Sequence, residues 1–267
     1  MNKIKLVSLT LIVAIFLGAC ANTEGTTSEV SNKLEQIKEA GVIRVGLEGT
    51  FPPFSLHDES GKLVGFEVEI AEVIAKDLGV EVDFIETKWD SLIAGLDVDK
   101  YDFVINNVGA TDERKQVYDF TDPYMVSTGK LAVSKDNTEI NSIEDYKGKK
   151  SAQSLTSNYA TDAINFGAEI VPVDGFAQAI ELVNEERADG TINDIITFKT
   201  YLKEHPDANI RLLEEEIPNK NDVGIILQKD NPELLEAINE IIANRTEDGT
   251  FREIFIKYIG EDLSVNK

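Results

Sequence analysis

Residues 66–86 read FEVEIAEVIAKDLGVEVDFIE. Phe66, Ile70, Val73, Ile74 and Leu78 fall along one stripe at helical spacing, which predicts a helix over 66–78. From Val80 to Glu86 the run turns β-rich and ends before Trp89, so a strand follows the helix. A helix handing over directly to a strand is the grammar of an α/β fold.

The same grammar extends in both directions. Ile43 to Leu47 reads as a strand before the helix, and Ser91 to Leu96 and Phe103 to Ile105 as a helix and a strand after it. A second segment repeats the alternation: strands at Lys149–Gln153, Ile170–Val173 and Gly190–Ile192, with helices at Tyr159–Asn165 and Phe176–Asn184. Helices over Pro232–Arg245 and Phe251–Tyr258 close the chain, the first with proline in its first turn, where the missing N–H costs nothing. Two α/β lobes with largely parallel sheets are expected. The extended apolar stretches Gly129–Val133 and Gly224–Leu227 read as paired crossovers between them, although periodicity alone does not establish that the chain returns to its first lobe.

The N-terminus carries a different signal. Lys3 and Lys5 precede an unbroken apolar stretch from Leu6 to Leu17, shorter than the ~20 residues that span a bilayer, which ends in Gly18 and Ala19. Residues 1–19 are expected to be a signal peptide. Cys20, the sole cysteine, excludes an internal disulfide, and Leu17-Gly18-Ala19-Cys20 resembles the lipobox of bacterial lipoproteins, whose cysteine is acylated. Residues 20–33 then form a polar, lipidated leash with nothing large to bury. An extracytoplasmic protein tethered to the cell membrane through Cys20 follows.

Composition narrows the partners. Lys plus Arg number 26 against 49 Asp plus Glu, a net charge of −23, which disfavours nucleic acid and its anionic phosphates. The acidic run Glu214-Glu215-Glu216 needs no more than a solvated face. Catalytic and metal signatures are missing: His57 and His205 have no second ligand at metal spacing, and neither a nucleophile elbow nor a phosphate loop occurs. Asp97-x-Asp99 lacks the glycine and the glutamate of a calcium loop. No metal, no cofactor and no catalytic residue are expected.

Candidate site residues instead follow strand ends, where ligands collect in parallel α/β sheets. After the strand Tyr101–Ile105 comes Asn106-Asn107-Val108-Gly109-Ala110-Thr111-Asp112-Glu113-Arg114. Gly109 allows close approach to the backbone, and Arg114, one of six arginines, carries a planar fork suited to a carboxylate. A lone arginine after a strand is more often a surface or ion-pair residue, so this segment does not decide alone. Phe51 and Phe54 follow the first strand and Trp89 the third; they read as an apolar wall around a small solute or as ordinary core, the two readings balanced for Phe54 and the wall favoured for Trp89, the sole tryptophan. In the second segment Thr156-Ser157-Asn158 offers hydroxyls and N–H groups, and Asp194 stands where it could accept from an ammonium; helix N-caps explain both as well.

Taken together, Arg-Val-Gly-Leu-Glu-Gly-Thr-Phe-Pro-Pro-Phe, Gly-Lys-Leu-Val-Gly-Phe-Glu-Val-Glu, Thr-Asp-Glu-Arg-Lys, Asp-Phe-Thr-Asp-Pro-Tyr and Glu-Asp-Gly-Thr-Phe, in this order, resemble the family 3 solute-binding proteins, the polar amino-acid receptors of ABC importers. The resemblance implies a periplasmic-binding-protein type II fold: two α/β lobes, two crossing hinge strands and a ligand cleft between the lobes. The boundaries are then 34–129 with 225–267 for the first lobe and 130–224 for the second. It also implies that Arg114 pairs with the ligand α-carboxylate, Asp194 holds the α-ammonium and Phe51 acts as an aromatic lid. Trp89 takes a side-chain pocket position, Asn107 and Gly109 make backbone contacts, and Thr156 and Ser157 contacts from the far lobe. Many relatives carry Ser or Thr where this chain has Gly109, so that hydroxyl is missing here.

The blocks Asn-Asn-Val-Gly-Ala-Thr-Asp-Glu-Arg and Ala-Gln-Ser-Leu-Thr-Ser-Asn resemble the cystine or cysteine branch. The expectation is a monomeric binding protein, not an enzyme, that closes about L-cystine and delivers it to ABC permease subunits. Alternatives are L-cysteine, another polar amino acid, or a dehydratase-like enzyme on the same fold.

Overall fold

The computed structural model describes residues 32–265. The expected signal peptide, Cys20 and most of the expected leash lie outside them. In order, the first lobe builds helix α1 (Lys33–Ala40), strand β1 (Val42–Leu47), the hairpin β2 (Leu56–His57) and β3 (Leu63–Val64), α2 (Phe66–Leu78) and β4 (Glu81–Glu86). Then come α3 (Trp89–Leu92), a 3-10 turn over Ile93–Val98, β5 (Phe103–Val104), α4 (Asp112–Val117) and β6 (Tyr118–Phe120). A long strand β7 (Met125–Ser134) leads to β8 (Lys150–Gln153), α5 (Asn158–Asn165), β9 (Glu169–Pro172), α6 (Phe176–Asn184), β10 (Gly190–Asp194) and α7 (Ile195–Glu204). The chain returns along β11 (Ile210–Val223) into β12 (Ile226–Gln228), α8 (Pro232–Glu247) and α9 (Thr250–Ile259).

The segment 66–86 shows why. Glu67 and Glu69 occupy the first turn of α2, favourably placed against the helix dipole. At its end Gly79 adopts φ 78°, a left-handed cap that costs glycine little, and its N–H satisfies Ala75 and Lys76 carbonyls. The reversal sends β4 back alongside β1 in parallel register, Val42 opposite Glu81 through Leu47 opposite Glu86. Phe103 and Ile105 pack with Ile43, Val45 and the buried stripe of α2, while the intervening Val104 faces Trp89, Leu92, Leu96 and Ile226. Burial on both faces is what a sheet with helices on either side requires.

Two five-stranded sheets result, with orders β4-β1-β5-β12-β6 and β11-β7-β10-β8-β9. In the first, β4, β1 and β5 are parallel; in the second, β10, β8 and β9 are. The crossover differs from the expectation in one respect. The strand containing Gly129–Val133 pairs antiparallel with β11, from Met125 opposite Val223 to Ser134 opposite Ile210, and not with Gly224–Leu227. That later stretch supplies β12, which lies between β5 and β6 of the first sheet. The exposed Glu214, Glu215 and Glu216 therefore ride on a strand, and the carbonyls of Glu214 and Glu215 accept from Lys130 Nζ at 2.5 and 3.3 Å.

Candidate functional site

The carboxyl ends of the parallel strands of both sheets meet at one cleft. From the first lobe, Glu48 follows β1, Trp89 follows β4, and Asn106 and Asn107 follow β5; Phe51 completes that wall. From the second, Gln153 ends β8, Val173 follows β9 and Asn193 lies at the end of β10, with Ser157, Tyr159 and Phe176 beside them. The cleft encloses about 520 Å³ including its open mouth.

Of the residues expected at a site, Phe51, Trp89, Asn107 and Ser157 line this cleft. Phe54 does not. It is fully buried and stacked behind Phe51, ring centroids 4.6 Å apart at 9°, and leans on Phe66 at 4.8 Å. It is core that backs the wall, because the reversal over Pro52-Pro53 turns one ring outward and the other inward. Gly109 stands back from the cleft in an isolated bridge to Val223; a Cβ there would come within 3.2 Å of Asn221 Oδ1.

Arg114 sits in the first turn of α4, where Thr111 caps the helix by accepting from its N–H at 3.3 Å. Its Nη1 donates to Gly109 O at 3.0 Å, its Nη2 to Thr156 O at 3.1 Å, and its guanidinium lies 5.4 Å from the Trp89 ring centroid. Burial pulls its pKa down to about 10, against the nearby Glu113, so the group remains cationic at neutral pH. Among the described residues it has no carboxylate partner within ion-pair distance.

Thr156 and Ser157 divide their roles. Ser157 caps α5 by accepting from Tyr159 N–H at 3.1 Å. Thr156 faces the other lobe: its N–H and Oγ1 each donate to Asp90 Oδ1 at 2.9 Å, and Leu155 N–H reaches Asp90 Oδ2 at 3.3 Å. Lys88 pairs with Asp174 at 2.7 Å nearby. Lobe one thus grips both the N–H and the C=O of Thr156, through Asp90 and Arg114.

Asp194 is fully buried and is not part of the cleft wall; its neighbour Asn193 is. The carboxylate caps α7 through Ile196 N–H at 2.9 Å, accepts from Ser127 Oγ at 2.8 Å, and lies 3.4 Å from the Tyr159 hydroxyl. Burial raises its pKa, partly offset by these donors and by the Asn107 side chain. Asn107 itself adopts φ 49°, held by its N–H donating to Glu67 Oε1 at 2.7 Å, and its Oδ1 is buried without a hydrogen-bond partner among the described residues.

Sequence reasoning missed Glu48. Its backbone N–H donates to Asn106 Oδ1 at 2.8 Å while Asn106 Nδ2 donates to its Oε2 at 2.7 Å. Burial pushes its carboxyl up to about 7, reinforced by Asp90 and opposed by Asn106 and the Trp89 N–H. The strand-end criterion that singled out Arg114, applied to β1, points to Glu48 directly. Gln153, at the end of β8, is reached by the same criterion, whereas Tyr159 and Phe176, on helices, need the second lobe to be brought against the first. Trp89 Nε1 is buried without a partner among the described residues, a donor aimed from the cleft's own lining residue. No group of three metal-ligating side chains occurs among the described residues, and none of their helices is long and apolar enough to cross a membrane.

Known proteins share this arrangement. The chain is 40% identical over 268 residues to the L-cystine-binding protein TcyA of Bacillus subtilis, covering 98% of this chain and 99% of that one. An ancestral arginine-binding protein bound to arginine superposes with a TM-score of 0.77 at 38% identity, covering 82% of this chain and 99% of that one. The L-cystine solute receptor of Neisseria gonorrhoeae, unliganded and open, gives 0.58 at 41% identity, covering 87% and 99%. The sequence model for bacterial extracellular solute-binding proteins of family 3 matches residues 43–261, and the chain belongs to that family.

Proposed function

We propose that this chain is the extracytoplasmic, lipid-anchored receptor of an amino-acid ABC importer, that it closes about L-cystine, and that it passes the ligand to the permease without transforming it. The observation that carries the reading is Arg114: a buried cation over the ring of Trp89, which lines the cleft, whose hydrogen bonds go to two neutral carbonyls and to no carboxylate among the described residues. A charge so placed is complemented by an anion from outside the chain, and the planar fork suits an α-carboxylate. Asp194 takes the α-ammonium across from it, once the closed shell of donors around it is shared.

L-cystine is favoured over a simple amino acid by what lies at the first lobe's end. Glu48 is an acid on the wall itself, apart from the buried Asp194, and a second α-ammonium would reach it; Phe51, Trp89 and Phe176 flank the space with rings that suit a disulfide. The name of the Bacillus relative points the same way. Hinge motion in the paired strands β7 and β11 would open and close the cleft, a ligand shifting the balance only by its differential affinity.

A thermal-shift panel of L-cystine under non-reducing conditions, L-cysteine under reducing conditions and the other common amino acids tests this. Ligand at 100 times its dissociation constant stabilises by about 2.7 kcal/mol. A selective response to L-cystine is expected. A response to another amino acid overturns the specificity, and none at all, or turnover of prephenate or arogenate, overturns the receptor reading.

A further inference from the structure

Asp194 does not stand alone at the end of β10. Three residues from three elements are arranged about it, Ser127 and Tyr159 directly and Asn221 through Tyr159, two of them on the crossover strands. Ser127 on β7 and Asn221 on β11 are direct partners across that ladder. Ser127 donates to Asp194 Oδ1 at 2.8 Å. Asn221 acts at one remove: its Nδ2 donates to the Tyr159 hydroxyl at 2.8 Å, and Asn158 Nδ2 lies 3.4 Å from its Oδ1. Because the Tyr159 oxygen accepts from Asn221, its own proton is directed to the remaining neighbour, Asp194 Oδ2 at 3.4 Å. Gly109 makes room for the arrangement, since a Cβ there would stand 3.2 Å from Asn221 Oδ1.

We propose that Ser127, Tyr159 and Asn221 are positioning residues for Asp194: they orient its carboxylate and keep it ionised for the ligand ammonium, and because two of them lie on the crossover strands, they tie that acid to the hinge. This rests on the reading that Asp194 receives an α-ammonium. The titratable groups around Asp194 are Tyr159 from α5, Tyr124 just ahead of β7 and Glu67 from α2, and no lysine or arginine among the described residues pairs with it. The donors are therefore what opposes burial. Each one removed leaves the ionised form less favoured and moves its titration to higher pH.

The test is the affinity of the full chain, between pH 4.5 and 8, for the tightest binder among L-cystine and the twenty protein amino acids. Wild type is compared with Ser127→Ala, Tyr159→Phe, Asn221→Ala, Ser127→Thr and Asp194→Asn. Measured in a Glu48→Gln background, so that the acid near 7 does not contribute, affinity falls on the acid side as Asp194 is protonated. Ser127→Ala and Tyr159→Phe are expected to move that fall to higher pH by about one unit, Asn221→Ala by less, and Ser127→Thr to restore it. Losses of affinity without a shift of the acid limb, in variants with unchanged melting temperature, overturn the positioning role. If Ser127→Ala does not fold, Tyr159→Phe decides alone, since it removes only an oxygen. If Asp194→Asn binds as wild type does, or no ligand binds, the ammonium reading falls and this inference with it.

Discussion

Asp90→Ala removes the grip of lobe one on the N–H side of the second lobe. Three contacts are lost: Leu155 N–H at 3.3 Å and the Thr156 N–H and Oγ1 at 2.9 Å each. A hydrogen bond to a charged group contributes about 1.5–3 kcal/mol where it is sheltered, but Asp90 is exposed, where paired charges contribute only about 0.2–1 kcal/mol. Summed with that discount, the closed arrangement loses about 1–2 kcal/mol, so its ratio to the open one falls about 5–30-fold. Asp90 is not part of the cleft wall, so ligands that make no use of Glu48, whose carboxyl Asp90 influences, are all affected by the same factor, the factor by which the competent population shrinks. Calorimetric titration with two amino acids of apolar side chain, which leave Glu48 unused, checks this, with small-angle scattering of the empty protein as an independent measure of opening. Lys88→Ala is the built-in comparison: its pair with Asp174 is 71% and 73% exposed, and its loss should change affinity less than about twofold. A loss for Asp90→Ala that differs between those two ligands, or no loss at all, would refute the argument.

Glu67 is fully buried with its carboxyl pushed up to about 8 by desolvation, so the folded chain holds a proton that the unfolded chain releases near 4.5. Stability from this group therefore falls as pH rises between about 4.5 and 8, and Glu67→Gln should flatten the melting temperature over that window, gaining on wild type at pH 8 relative to pH 5. Glu48→Gln should weaken L-cystine by about tenfold or more while leaving amino acids with an apolar side chain within about twofold, measured by titration; equal effects on both would remove Glu48 from the distal site. Gly46→Ala, in a strand paired on both sides, would drive a Cβ to 2.9 Å from the ring of Tyr101, which is 1% exposed. The expected cost is about 1–3 kcal/mol, read as a lower urea midpoint at unchanged slope.

The alternation of helix and strand was legible where local chemistry and burial agree. Helices α2 and α6 have the bounds their spacing predicts, 66–78 and 176–184. Helix α7 was not legible: Ile195-Ile196-Thr197 opens it with β-branched residues, and its formation follows from the Asp194 cap and from burial of Ile196, Thr197 and Phe198. Strand β11 was missed because register shifts on both sides of Glu216 break its alternation, and because three successive glutamates read as loop. At the site, strand ends were a sound guide to position but not to direction. Whether Phe51 or Phe54, Asn193 or Asp194, turns to the cleft is decided by a tight reversal or a strand's period of two, which composition does not carry. The interlobe contacts were wholly hidden, since they join residues 65 and 86 positions apart.

Those contacts change what the short helix α3 means. Lys88, Trp89 and Asp90 are consecutive, and each meets something different: Asp174 of the second lobe, the cleft with the Arg114 guanidinium above its ring, and the N–H groups of Leu155 and Thr156. A ligand that presses on Trp89 therefore presses on a short segment, Lys88 to Asp90, from which two bridges cross to the other lobe. Arg114 is subject to the same logic, because the guanidinium that would take the α-carboxylate also holds the Thr156 carbonyl. Filling the cleft and shutting it draw on shared residues. Changes at Arg114 or Trp89 should thus alter affinity and the open–closed balance together, whereas Asp90 touches the balance without lining the cleft.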